Sequence, residues 1–254
     1  MMARSVAKAR YGAVAEQRER SPIPTPEGHW IQGQRWEDLL FCNWPVSVDA
    51  VRHLVPEGLQ IDTHDGSAWI SVVPMWMEDA HFYRLPPLPF ISTFPEVNLR
   101  TYVKADGIPG VWFLSLDTES RINVAIARYG FQLPYYYARV SMQRGGNAFR
   151  FRSVRPGGEA ELDVSYRAEG DLFEPKEDSL EHFLTERYSM YCTMRRGRLF
   201  RGDIQHTPWE LRPATMELRR ADLLGAMGVK VGGEDPVIFY SPATDVVLWK
   251  PIAL

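Results

Sequence analysis

Phe94-Pro-Glu-Val-Asn-Leu-Arg-Thr-Tyr-Val-Lys-Ala-Asp-Gly-Ile-Pro-Gly-Val-Trp-Phe-Leu-Ser-Leu-Asp117 carries the strongest structural signal in this 254-residue chain. It divides into a strand-forming run over Val97–Lys104, a turn at Asp106-Gly-Ile-Pro-Gly110 and an apolar partner over Val111–Leu116, which predicts a β-hairpin. Successive side chains alternate across a strand. One face therefore carries Glu96, Asn98, Arg100, Tyr102 and Lys104, and the other Val97, Leu99, Thr101 and Val103. The second face belongs in a core, whereas the first meets either bulk water or the inside of a closed sheet. Phe90, Phe94 and Trp112 bracket the strand, which is unusual company for a wet edge. Glu96 and Arg100 are separated by roughly 13 Å along the strand, too far for direct neutralisation. If they are interior, other groups must satisfy them, because a buried unpaired charge is costly.

Outward from the hairpin the pattern stays β-rich. Trp69–Met77 is apolar at almost every position, as in a strand buried on both faces. Tyr135–Met142, Ala148–Val154 and Ala160–Arg167 read as strands, the last two joined by Arg155-Pro-Gly-Gly158 and cleanly alternating. Further strands are expected near 191–195 and 198–206, and over Val237–Tyr240 and Val246–Trp249. Short helices are expected at Asp49–Leu54, at 178–189, around Ala221–Leu224, and at 119–129. The 119–129 helix would be capped by Asp117 or Thr118, with Ile122, Ala125, Ile126 and Tyr129 inward. Many strands with a few inserted helices define an α+β domain on a curved or closed antiparallel sheet. Residues 1–28, charged and then Pro-rich, read as a flexible N-terminal arm, and residues 29–254 as a single domain.

Composition narrows the function classes. A net charge of −3 gives no reason to expect nucleic acid or an anionic membrane as partner. The basic cluster Arg195-Arg-Gly-Arg198 reads as a solvated hairpin end. No apolar run approaches the ~20 residues of a membrane span. The N-terminal residues lack the apolar core of a secretory signal, so a cytoplasmic protein is expected. Cys42 and Cys192 read as buried fillers. No phosphate-binding glycine motif, nucleophile elbow or metal-ligand spacing of His and Cys is present, so no cofactor and no metal is expected. A small-molecule ligand is the expected partner, and the oligomeric state, homo-oligomer included, stays open.

Phe94–Tyr102, Gly110-Val-Trp-Phe-Leu-Ser-Leu-Asp117, Ala127-Arg-Tyr-Gly-Phe-Gln-Leu-Pro-Tyr135, Leu184-Thr-Glu-Arg-Tyr188 and His206-Thr-Pro-Trp209 together resemble the uncharacterised YqjF-like family. That family is grouped with acetoacetate-decarboxylase-like proteins. The resemblance implies a cone-shaped antiparallel β-barrel around a small-molecule pocket, with Glu96 in the place of an active-site Glu. It does not carry over the Schiff-base lysine. The five lysines are Lys8, Lys104, Lys176, Lys230 and Lys250, so none lies between Asp106 and Pro175. Arginine stays protonated and cannot replace an amine nucleophile. The candidates are therefore Glu96 and Arg100 as acid/base and anion clamp, with Asn98, Tyr102, Tyr135 and His206 as ligand-binding groups. Arg128 is a further candidate, expected to reach a carboxylate such as Asp117. A ligand-binding protein and a lyase, hydratase or isomerase both fit this set.

Overall fold

The computed structural model describes residues 2–17, 21–24, 26–89, 91–194, 197–233 and 235–254. Phe90 and the Arg195–Arg196 part of the basic cluster lie outside them. In chain order the elements are α1 (Met2–Glu16), β1 (Gln32–Val46), α2 (Val48–Arg52), β2 (Gln60–Ile61), β3 (Ala68–Phe82), β4 (Phe94–Ala105), β5 (Ile108–Thr118), α3 (Arg121–Ile126), a π-turn (Ala127–Phe131), β6 (Tyr135–Tyr137), β7 (Arg139–Gly145), β8 (Ala148–Val154), β9 (Glu161–Ala168), α4 (Leu180–Thr185), β10 (Ser189–Met194), β11 (Arg198–His206), β12 (Arg212–Ala221), α5 (Asp222–Ala226), β13 (Val237–Leu248) and β14 (Ile252–Ala253). The result is a mostly-sheet domain with a few short helices.

The opening hairpin is β4–β5. Asp106 and Gly107, at φ 50° and 76°, form its two-residue turn between Ala105 and Ile108. Positive φ at both positions matches the twist of the flanking strands, and Asp-Gly meets it at low cost. Pairing runs β13–β1–β3–β4–β5–β10–β11, and β11 pairs again with β13 at Ile204↔Leu248. The β5–β10 contact is parallel and close: a Cβ on Gly110 would sit 2.6 Å from the Ser189 carbonyl oxygen, so only glycine fits there.

A second antiparallel array, β12–β9–β8–β7, leaves this path at β13 and covers its outer surface. Phe149, Phe151, Leu162, Val164 and Tyr166 of that array share one core with Val97, Leu99 and Val103 of β4. Each such side chain contributes about 1.5–3 kcal/mol by leaving water. A separate core on the other face gathers Phe41, Met75, Met77, Phe94, Tyr102 and Trp209. β4 is thus buried on both faces, and its polar side points into the second core.

Several expectations are corrected. The arm assigned to residues 1–28 contains a helix, α1, whose Tyr11 and Val14 are buried against Trp30, Val247 and Trp249. The charged composition concealed these few anchors. The Tyr11 hydroxyl donates to Asp79 at 2.9 Å. Tyr11→Phe should therefore cost about 1 kcal/mol, measurable by chemical denaturation, with the fold unchanged; no change would show that this bond is not holding the helix. The 119–129 helix is shorter than expected, is capped by Ser120 and turns a different face inward. Val124 is its buried residue, while Ile122 is exposed and Tyr129 is 89% exposed. The 178–189 helix shrinks to α4. Tyr135–Met142 splits into β6 and β7, which pair with different partners. The two expected C-terminal strands are one continuous β13, and β1 and β12 have no counterpart in the sequence reading. No helix among the described residues is long and apolar enough to cross a membrane.

Candidate functional site

β4 is the spine of the site. Pairing with β3 sets Glu96 opposite Met75, Asn98 opposite Val73 and Arg100 opposite Ser71. A register shift on the β5 side, between Leu99 and Arg100, leaves the alternation of β4 intact. Glu96, Asn98 and Arg100 consequently face one cavity of about 250 Å³. The cavity is otherwise largely apolar, with Met75, Met77, Phe94, Phe113 and Leu116 among its walls. β1 supplies Gln32, Gln34 and Trp36, which were invisible from sequence because the strand itself was not predicted.

Tyr135 enters from β6, whose parallel pairing with β5 sets it beside Leu116. Its hydroxyl donates to Glu96 Oε2 at 2.8 Å. Glu96 is 3% exposed. Burial raises its pKa to about 7; the Tyr135 hydrogen bond opposes the rise, and the nearby Asp117 charge adds to it. Burial, then the Glu96 charge, pushes the Tyr135 phenol well above its ordinary range.

Arg100 is a buried guanidinium lacking an acidic partner among the described residues. Its Nη2 donates to the Leu184 carbonyl at 3.0 Å and, weakly, to the Tyr102 hydroxyl at 3.4 Å. The cation lies 5.5 Å from the Phe41 ring centroid and 5.6 Å from that of Tyr102. Its Nε, like Asn98 Oδ1, is buried without a hydrogen-bond partner. A desolvated cation and an unsatisfied amide oxygen on one cavity wall are costly unless something polar meets them.

The remaining candidates sit elsewhere. Tyr102 is fully buried and does not line the cavity; its hydroxyl donates to Leu184 O at 3.0 Å and lies 2.6 Å from Ser71 Oγ. It packs behind Arg100. His206 is buried away from the cavity lining, stacked on Tyr188 at 4.5 Å, with Nδ1 donating to Thr207 O at 2.9 Å. Burial pushes its pKa below the usual imidazole range. Arg128 does not reach Asp117. It lies over Tyr136, and Asp117 is held by Arg155 through bonds of 2.6–3.1 Å. Among the described residues no lysine lines the cavity, and Lys104 instead pairs with Asp62 at 3.4 Å. Cys42 and Cys192 are free and buried. No group of three metal-ligating side chains occurs among the described residues.

The fold is that of acetoacetate-decarboxylase-like proteins. The enduracididine biosynthesis enzyme MppR, complexed with pyruvate, superposes with a TM-score of 0.64 at 12% identity, covering 90% of this chain and 92% of that one. Acetoacetate decarboxylase from Legionella pneumophila subsp. pneumophila gives 0.61 at 11% identity, over 92% and 93%. The chain belongs to the DUF2071 family of uncharacterised conserved proteins, whose model matches residues 33–245. It is 40% identical to the uncharacterised protein YqjF of Bacillus subtilis (strain 168) over 237 residues, covering 93% of this chain and 98% of that protein.

Proposed function

We propose that this is a cytoplasmic small-molecule-binding protein that holds a carboxylate- or carbonyl-bearing ligand without Schiff-base chemistry. The return of the pairing path from β11 to β13 supports a cone-shaped barrel, with the ligand in its lumen. One observation carries the reading: the Arg100 Nε donor is buried and unpartnered beside the cavity that Arg100 lines. A planar carboxylate is the natural complement of a guanidinium fork. Asn98 and Tyr135 complete the contacts, while Tyr102 and His206 support the wall from behind. MppR's pyruvate is an anion of the class that such a site would take.

Calorimetric titration with pyruvate tests the proposal. Binding is expected below about pH 7, where Glu96 is protonated and does not repel the anion. Above that, affinity should fall by up to about tenfold per pH unit. Absence of binding at every pH, by pyruvate and by longer carboxylates alike, would sink the reading.

A second reading has its own support. Glu96, with a pKa of about 7 and a phenol at 2.8 Å, is suited to proton transfer near neutrality. Glu96 would then act as general base and Arg100 as carbonyl or carboxylate clamp, in a lyase, hydratase or isomerase. Proton–deuteron exchange at C3 of pyruvate, followed by NMR, separates the two: exchange lost in Glu96→Gln supports the enzyme, and none above the protein-free rate supports the binder.

A further inference from the structure

The cavity is chemically lopsided. Its charged residues, Glu96 and Arg100, come from one face of β4, and the rest of the lining is mostly methionine, phenylalanine and leucine, with the polar Gln32, Gln34, His81 and Asn123 among them. Arg100 lies six residues along β4 from Phe94, about 20 Å at strand spacing, and Phe94 follows directly on the loop that carries Leu85 and Leu88. These two leucines line the cavity although 55% and 51% exposed, and Ile126 does so from α3 at 38%. Exposed large apolar groups gathered at a cavity mouth mark a surface that meets an apolar partner. A two- or three-carbon acid at Arg100 would leave that wall without a ligand against it.

We infer that the ligand is a monocarboxylic acid with an unbranched apolar tail, its carboxylate at Arg100 and its tail directed toward Leu85 and Leu88. The inference rests on the carboxylate-pocket reading above and adds the ligand class. Size follows from the volume. At roughly 30 Å³ per water-sized group, 250 Å³ holds about eight non-hydrogen atoms, so a six-carbon acid occupies the inner part of the cavity and only a longer tail covers the distance to the mouth. Longer tails emerge between the two mouth segments. Glu96 opposes such a tail least when protonated, so the acid is bound best at or below about pH 7.

The test is a homologous series from acetate to tetradecanoate, titrated calorimetrically into the full chain near pH 6 alongside pyruvate. Affinity is expected to rise about fourfold per methylene, about 250-fold from acetate to hexanoate, then less steeply as the tail nears the mouth. Arg100→Met should abolish the series, and Leu88→Glu should weaken tetradecanoate, whose tail is long enough to reach the mouth, while leaving hexanoate unchanged. Pyruvate or acetate binding with a flat or falling dependence on length overturns the tail and leaves the carboxylate pocket standing. Failure of every acid, pyruvate included, overturns both. A series equally steep in Arg100→Met overturns the placement of the carboxylate.

Discussion

Arg100→Met is expected to weaken binding of a carboxylate probe by at least about thirtyfold, and to do so without loss of stability. The first effect is the removal of a buried, charge-assisted contact, which costs about 2–5 kcal/mol in comparable binding sites. The second separates function from architecture. Arg100 is 7% exposed and has no carboxylate partner among the described residues, so the fold bears the cost of desolvating a cation that nothing nearby neutralises. Methionine has a similar length and no charge. The carbonyl of Leu184, which Arg100 leaves behind, still accepts from the Tyr102 hydroxyl at 3.0 Å, so no buried acceptor is orphaned. The variant should therefore be about 1–2 kcal/mol more stable in urea, the trade expected of a residue kept for a ligand. A structural arginine behaves oppositely: Arg100→Met would then lose stability and leave pyruvate binding as it was.

The face of β4 was legible because strand alternation is strict, and eight consecutive residues kept their sides despite the shift on the β5 side. What alternation could not say is which side of the sheet is wet. That depended on β7–β8–β9–β12 covering the apolar face and on β1 and β13 enclosing the polar one. β1 was illegible for a physical reason. Glu37 and Asp38 interrupt it, Asp38 sits at φ 52° within a break in the β1–β3 register, and such bulges read as turns. Asp38 is nonetheless buried, accepting from the Tyr240 hydroxyl at 2.6 Å and from Arg144. β12 alternates Ala214, Met216 and Leu218 with charged or polar residues, but Pro213 and the adjacent Arg219 and Arg220 weaken the strand pattern. The α3 face failed because helical periodicity presumes a core on one side. Here the helix borders a cavity, so Ile126 is both a lining residue and partly exposed. Tyr135 was nameable as a pocket residue, whereas its bond to Glu96 required the parallel β5–β6 pairing that no local pattern encodes.

Glu96→Gln should reshape the pH dependence of stability by about 3 kcal/mol. The Glu96 carboxyl titrates near 4.5 when unfolded and near 7 in the folded protein, chiefly because burial disfavours its charge. Between those values the folded state binds the proton and the unfolded state does not. Stability from this group is therefore fully present below about pH 4.5 and is lost as pH rises through about 7. A difference of roughly 2.5 pH units corresponds to about 3 kcal/mol. Glutamine is neutral throughout and close in shape, so it escapes the loss. Other groups shift as well: burial raises Asp117 and lowers His206, which act in opposite senses. Both remain in the variant, and the wild-type-minus-variant difference largely cancels them. Urea denaturation at about pH 4.5 and about pH 8.5 should show the variant gaining on the wild type at the higher pH. Pyruvate affinity should follow the same group, falling above neutrality in the wild type and staying level in Glu96→Gln. A stability gap that does not move with pH would mean that Glu96 stays charged in the fold, and would remove it as a proton donor near neutrality for any ligand in the cavity.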